Sequence, residues 1–179
     1  MINSDHKKIK RVLITNDEIQ RRISEVAAAI TEEYRGKPLL LVGILSGVFV
    51  FMADLCRKIQ TPSEVAFMYV KSYCGTKSTS MVDIVMDLNR DISNYHVVLV
   101  EDIVDTGRTL HEVDAILRSR NPLSLKVVTL LDKPSKSVND FQPDISLFKI
   151  PDLFVIGYGL DFNEKYRELP YIAEYDESI

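Results

Sequence analysis

The chain has 179 residues, 46% hydrophobic and 27% charged, with a formal net charge of -4. That length suits one domain with a substantial core, and the composition is that of an ordinary soluble globular protein. The acidic balance argues against a nucleic-acid-binding surface, which carries a basic excess.

Two cysteines, Cys56 and Cys74, fit a reducing compartment and offer no metal-ligand spacing. Residues 1–11 are polar and lack the apolar core of a secretory signal, so a cytoplasmic location is expected. The stretch 38–55 is mostly apolar. Gly43, Ser46, Gly47 and Asp54 interrupt it, and it falls short of the ~20 residues of a membrane span. It reads as a buried strand, a turn and a buried helix, and no membrane contact is expected.

Thr15-Asn16-Asp17-Glu18 has the form of a capping box. Ile19, Ile23, Val26, Ala27 and Ile30 then mark one face of a helix that Gly36 ends. The continuous apolar run 39–45 predicts a central strand. Ser46-Gly47 turns it into a second helix over 48–58. Strands are expected over 65–71 and 82–88 as a hairpin, whose polar tip, 72–80, is too long for a tight turn. A strand over 97–100 leads to a helix over 109–118, carrying Leu110, Val113, Ile116 and Leu117. Asn121-Pro122 marks a loop. Strands over 125–131 and 153–156 follow, the last ending at Gly157. This alternation predicts an α/β fold, a mostly parallel twisted sheet flanked by helices on both faces. No internal repeat or low-complexity segment is present.

Ligands of such sheets bind at the carboxyl ends of the strands. The polar clusters fall there: Ser46-Gly47, 101–109, Asp132-Lys133 and Asp161. The richest segment is Val97-Val98-Leu99-Val100-Glu101-Asp102-Ile103-Val104-Asp105-Thr106-Gly107-Arg108-Thr109. Glu101 and Asp102 are either solvated strand-end charges or a pair that a diol or Mg²⁺ neutralises. Asp105 is either the cap of the next helix or a proton acceptor. Thr106, Gly107, Arg108 and Thr109 form either an ordinary turn or a phosphate cradle at a helix N-terminus. Taken alone, Lys133 reads as a solvated loop lysine, Phe154 and Val155 as core, and Asp161 as a loop acid. Arg167 reads as part of a surface helix.

Segment 97–109 resembles the phosphoribosyl diphosphate (PRPP) signature of the type I phosphoribosyltransferases. Gly43-Ile44-Leu45-Ser46-Gly47, Lys71-Ser72-Tyr73, Leu131-Asp132-Lys133-Pro134 and the run from Phe154 to Glu164 narrow the likeness. Together they resemble the hypoxanthine (hypoxanthine-guanine) phosphoribosyltransferases over nearly the whole chain.

The resemblance implies a core over about 15–150, a small hood subdomain from 1–14 and 151–179, and a flexible β-hairpin lid over 72–81. It implies purine salvage, in which the phosphoribosyl group of PRPP passes to N9 of hypoxanthine and guanine. Leu45, Ser46 and Gly47 become the diphosphate loop, with a cis peptide between Leu45 and Ser46. Many relatives carry a basic residue where Ser46 stands. Ser72 and Tyr73 become the lid. Glu101 and Asp102 hold the ribose hydroxyls, directly or through hydrated Mg²⁺. Asp105 is the general base near N7, and Thr106 to Thr109 cradle the 5-phosphate. Lys133 donates to the 6-oxo oxygen. Ile103 and Phe154 sandwich the purine, and Val155 offers it main-chain groups. Asp161 joins the purine-binding residues and carries a second Mg²⁺ attached to the diphosphate, and Arg167 contacts the diphosphate.

The implied partners are PRPP and a 6-oxopurine, with no nucleic acid, in a homodimer or homotetramer. A guanine- or xanthine-preferring enzyme is an alternative. A PRPP-sensing regulator is a second, but about a dozen residues before the first helix are too few for a helix-turn-helix.

Overall fold

A computed structural model describes residues 8–72, 82–136 and 141–176. The first described element is a strand that the sequence reading passed over, β1 (Ile9–Ile14). It is followed by α1 (Asn16–Glu33), β2 (Leu39–Leu45), α2 (Phe49–Lys58), β3 (Ser63–Ser72) and β4 (Val82–Met86). Then come β5 (His96–Val104), α3 (Arg108–Ser119), β6 (Ser124–Asp132), β7 (Ile145–Lys149), β8 (Val155–Ile156) and β9 (Ile172–Tyr175).

The main sheet has six strands in the order β4-β3-β2-β5-β6-β7. β3, β2, β5, β6 and β7 run parallel, and β4 pairs antiparallel with β3. β2 and β5 lie at its centre because their runs are apolar on both faces. Leu39, Leu41, Val98 and Val100 pack toward α1 and α2. Leu40, Val42, Val97 and Leu99 point the other way, toward Leu110, Val113 and Leu117 of α3. This is the two-residue period of a strand dividing one run between two cores. Each such side chain, fully buried, contributes roughly 1.5–3 kcal/mol. β4 is the edge, and Val85 and Met86 are exposed there.

α1 starts at the expected capping box, Thr15 with Glu18. It ends at Glu33 with Tyr34 as its cap, two residues before Gly36, whose φ of +70° carries the turn.

A second sheet joins β1, β9 and β8, all antiparallel. Its strands bring the two ends of the described chain together. The expected strand over 153–156 is shorter, because residues 153 and 154 stand outside the ladder. No described helix is long and apolar enough to cross a membrane.

Candidate active site

β5 runs through the acidic pair instead of stopping at residue 100. Glu101 and Asp102 therefore lie within the strand and are half-buried, not on a solvated edge. Burial, joined for Glu101 by the charge of Asp102, pushes both carboxyls above the usual range, Glu101 the further. Such a pair favours a cationic partner made for oxygen ligands. Among the described residues no group of three or more His, Cys, Asp or Glu is placed to hold a metal ion. A Mg²⁺ ion fits the pair nonetheless, since this cation keeps water and phosphate oxygens in its shell and needs only one or two carboxylates.

The loop after β2 touches this pair directly. A β-carbon on Gly47 would fall 1.7 Å from Asp102 Oδ2. On its other flank, a β-carbon on Gly159 would fall 2.1 Å from the Gly47 carbonyl oxygen. The loop is thus held between β5 and the turn at 157–160. The Leu45–Ser46 peptide is cis, as expected.

α3 begins one residue earlier than expected, at Arg108, with Gly107 as N-cap at a φ of +76°. No side chain caps it, and its first turn holds no acid, so its positive end is not masked from within. Asp105 stands two residues before the N-cap, which excludes the capping role. Thr106 and Arg108 are exposed and Thr109 is half-buried.

Asp105 meets Lys133 because β5 and β6 end in register. Val104 pairs with Asp132, and the Lys133 amide donates to the Val104 carbonyl at 2.9 Å. Each of the two residues stands one step past its strand. Lys133 is buried, not solvated, with its Nζ 3.9 Å from Asp105 Oδ1 and 3.7 Å from Asp152 Oδ1. Lys136 Nζ lies 2.9 Å from Asp152 Oδ1 and 3.4 Å from Asp105 Oδ1. Asp105 Oδ1 is itself buried and accepts no hydrogen bond. Lys136 and Asp152 escaped the sequence reading. The one signal was a second lysine in the loop after a buried strand, which needs a carboxylate partner from elsewhere.

Asp161 and Arg167 are bound to each other at 3.0 Å. Arg167 also donates to the Gly159 carbonyl at 2.8 Å and pairs with Glu164. Asp161 accepts from the Glu164 amide at 2.9 Å. No surface helix forms around Arg167. Instead Tyr158, Asn163, Glu164 and Tyr166 all carry positive φ, a dense run of strained backbone.

Phe154 and Ile103 sit in different clusters. The Phe154 ring packs edge-on against Phe162 at 5.8 Å, in the aromatic group of the second sheet. Ile103 packs with the main core, and Val155 is paired opposite Glu174. Ser72 closes β3, while Tyr73 and the rest of the expected lid, 73–81, lie outside the described residues.

Residues 13–163 match the family model of the phosphoribosyl transferase domain. This chain belongs to the phosphoribosyltransferase family. Within the family it groups with the hypoxanthine-guanine phosphoribosyltransferases. The one from Staphylococcus aureus strain Mu50 is 48% identical over 169 residues, covering 94% of each chain. The crystal structure of a hypoxanthine phosphoribosyltransferase from Staphylococcus aureus superposes with a TM-score of 0.93. It is 46% identical and is matched over 98% of this chain and 96% of that one. A point mutant of the Trypanosoma cruzi hypoxanthine phosphoribosyltransferase, in a ternary complex with substrates, gives 0.90 at 40% identity. That match covers 96% of this chain and 97% of the other. The phosphoribosyltransferase sheet thus brings four neighbouring strand ends to one place: Gly47 after β2, the acidic pair on β5 with Asp105 just after it, Lys133 after β6, and Asp152 after β7.

Proposed function

We propose that this enzyme transfers the phosphoribosyl group of PRPP to N9 of hypoxanthine, and also of guanine, releasing diphosphate and the nucleoside monophosphate. The observation that carries this reading is Asp105 beside Lys133, at two strand ends, next to the uncapped start of α3. The helix start takes the 5-phosphate, with Thr106 to Thr109 as the cradle. Glu101 and Asp102 hold the ribose hydroxyls, directly or through a hydrated Mg²⁺. Bound Mg²⁺ offsets charge on the diphosphate as it leaves.

The bond from the sugar carbon to the diphosphate oxygen breaks as the bond to N9 forms, through an oxocarbenium-like state. Asp105, hydrogen-bonded to N7–H, takes the proton that the purine must lose. Lys133 donates to the 6-oxo oxygen. Adenine offers only an amino group there and leaves the buried ammonium without its acceptor. Ile103 and Phe154 lie on the two purine faces once the hood and the lid, with Ser72 and Tyr73, have closed and shed water. Val155 supplies main-chain groups to the purine edge. Asp161 would hold a second Mg²⁺ attached to the diphosphate, and Arg167 would contact the diphosphate itself. The working form is a cytoplasmic homodimer or homotetramer, which sedimentation velocity will count.

The test is a panel of purines with PRPP and Mg²⁺, followed spectroscopically, with a chelator control. Hypoxanthine and guanine are expected to react, adenine to be inert, and the chelator to stop turnover. Equal use of adenine overturns the role of Lys133. A preference for xanthine or for guanine alone moves the enzyme to the neighbouring specificity.

A further inference from the structure

Asp105 Oδ1 is in an unusual position. It is buried, it accepts no hydrogen bond, and two ammonium groups lie close by at 3.4 and 3.9 Å. An unopposed carboxylate would draw one of them into a direct, charge-assisted hydrogen bond. The geometry points to Asp152 as the reason this does not happen. Its Oδ1 holds Lys136 at 2.9 Å and draws Lys133 to 3.7 Å, nearer in each case than Asp105.

Three elements fix this arrangement. Lys136 sits on the short 3-10 turn Pro134–Lys136 after β6. Asp152 follows β7, whose end is tied to β6 by the Ile150 amide donating to Asp132 at 2.9 Å. Asp105 ends β5. Two ammonium groups face two carboxylates, and the charges balance. Asp152 is therefore a positioning residue: it keeps Lys136 and Lys133 from closing on Asp105, so that the base meets the purine N7–H with a free oxygen. This rests on the reading of Asp105 as the base.

Asp152→Asn removes the competing charge and keeps the side-chain shape at an exposed loop position. With Asp152 neutralised, Asp105 is captured by Lys136, the nearer ammonium at 3.4 Å. The expected result, at saturating PRPP and Mg²⁺, is a kcat for hypoxanthine lowered about tenfold or more, with the hypoxanthine KM changed less than about threefold. Asp152→Glu, which keeps the carboxylate, retains roughly half the activity or more, as a positioning role predicts and general damage does not.

The double variant Asp152→Asn with Lys136→Met removes the captor as well, and kcat returns to within about threefold of the parent. Parent-like kcat in Asp152→Asn overturns the inference, as does a double variant that stays as slow as the single one. Asp105→Asn, assayed alongside, separates the two levels. If it turns over normally, the base reading falls and the inference with it. If it is inactive while Asp152→Asn is normal, only the inference falls.

Discussion

The Asp102 carboxylate occupies the space in which residue 47 would carry a side chain, since a β-carbon on Gly47 would fall 1.7 Å from Oδ2. The loop after β2 and the acidic pair are therefore in close contact. With the Gly47 carbonyl also pressed by Gly159, any added atom must displace either a half-buried acid or the turn at 157–160.

Gly47→Ala is accordingly expected to lower kcat/KM for PRPP by about a hundredfold and to cost about 1–3 kcal/mol of stability through overpacking. Steady-state kinetics and a urea melt measure the two effects. A fully active Ala variant would show that the loop yields freely.

Asp105→Asn preserves the shape of the residue and, because Gly107 and not Asp105 is the N-cap, removes no helix cap. Its kcat is expected to drop by roughly 10²–10⁴, the range of a lost general base, with the melting temperature nearly unchanged. Equal loss of stability and activity would return the residue to a structural role.

Lys133→Met deletes a buried ammonium that lies 3.7 Å from Asp152 and 3.9 Å from Asp105. The expected outcome is a loss of kcat/KM for hypoxanthine of roughly 10²-fold or more, with no matching loss for adenine, so that discrimination collapses. Competition between the two purines in one assay reads the ratio directly. An unchanged ratio would place selection elsewhere.

The turn that presses on Gly47 is anchored to α2 through Asp54. Tyr158 O–H donates to Asp54, and Gln20 Nε2 donates to Asp54 Oδ2 at 2.7 Å and to the Tyr158 oxygen at 3.1 Å. Burial raises the Asp54 carboxyl, but hydrogen bonds from Tyr158, Gln20 and Arg57 outweigh it and hold the group below its ordinary 3.8. Below that value the unfolded chain binds the proton more readily than the folded one. The stabilisation is thus complete above pH 3.8 and is lost as pH falls through the lower folded value. Asp54→Asn is expected to flatten the fall of melting temperature in that acid window. Parallel curves for the two proteins would mean that Asp54 is not held low.

The sequence by itself determined what is local. The capping box of α1, the apolar runs of β2 and β5 and the α/β alternation are patterns of spacing, and each strand or helix shows them within its own residues. The acidic segment with its loop was legible for the same reason, being contiguous, and it led to the family. β1, β7 and β9 were not legible. They are short, and half of β1 is exposed, so no run or strict alternation marks them; their pairing comes from distant partners. The tertiary structure alone decided which side chains meet. Asp105 and Lys133 are 28 positions apart and touch because parallel strands end in register. Lys136 and Asp152 join them only because β6 and β7 pair, and Gly47 faces Asp102 only because β2 lies beside β5. Register is set by backbone hydrogen bonds and by packing across the whole sheet. It leaves no mark on the spacing of any one segment.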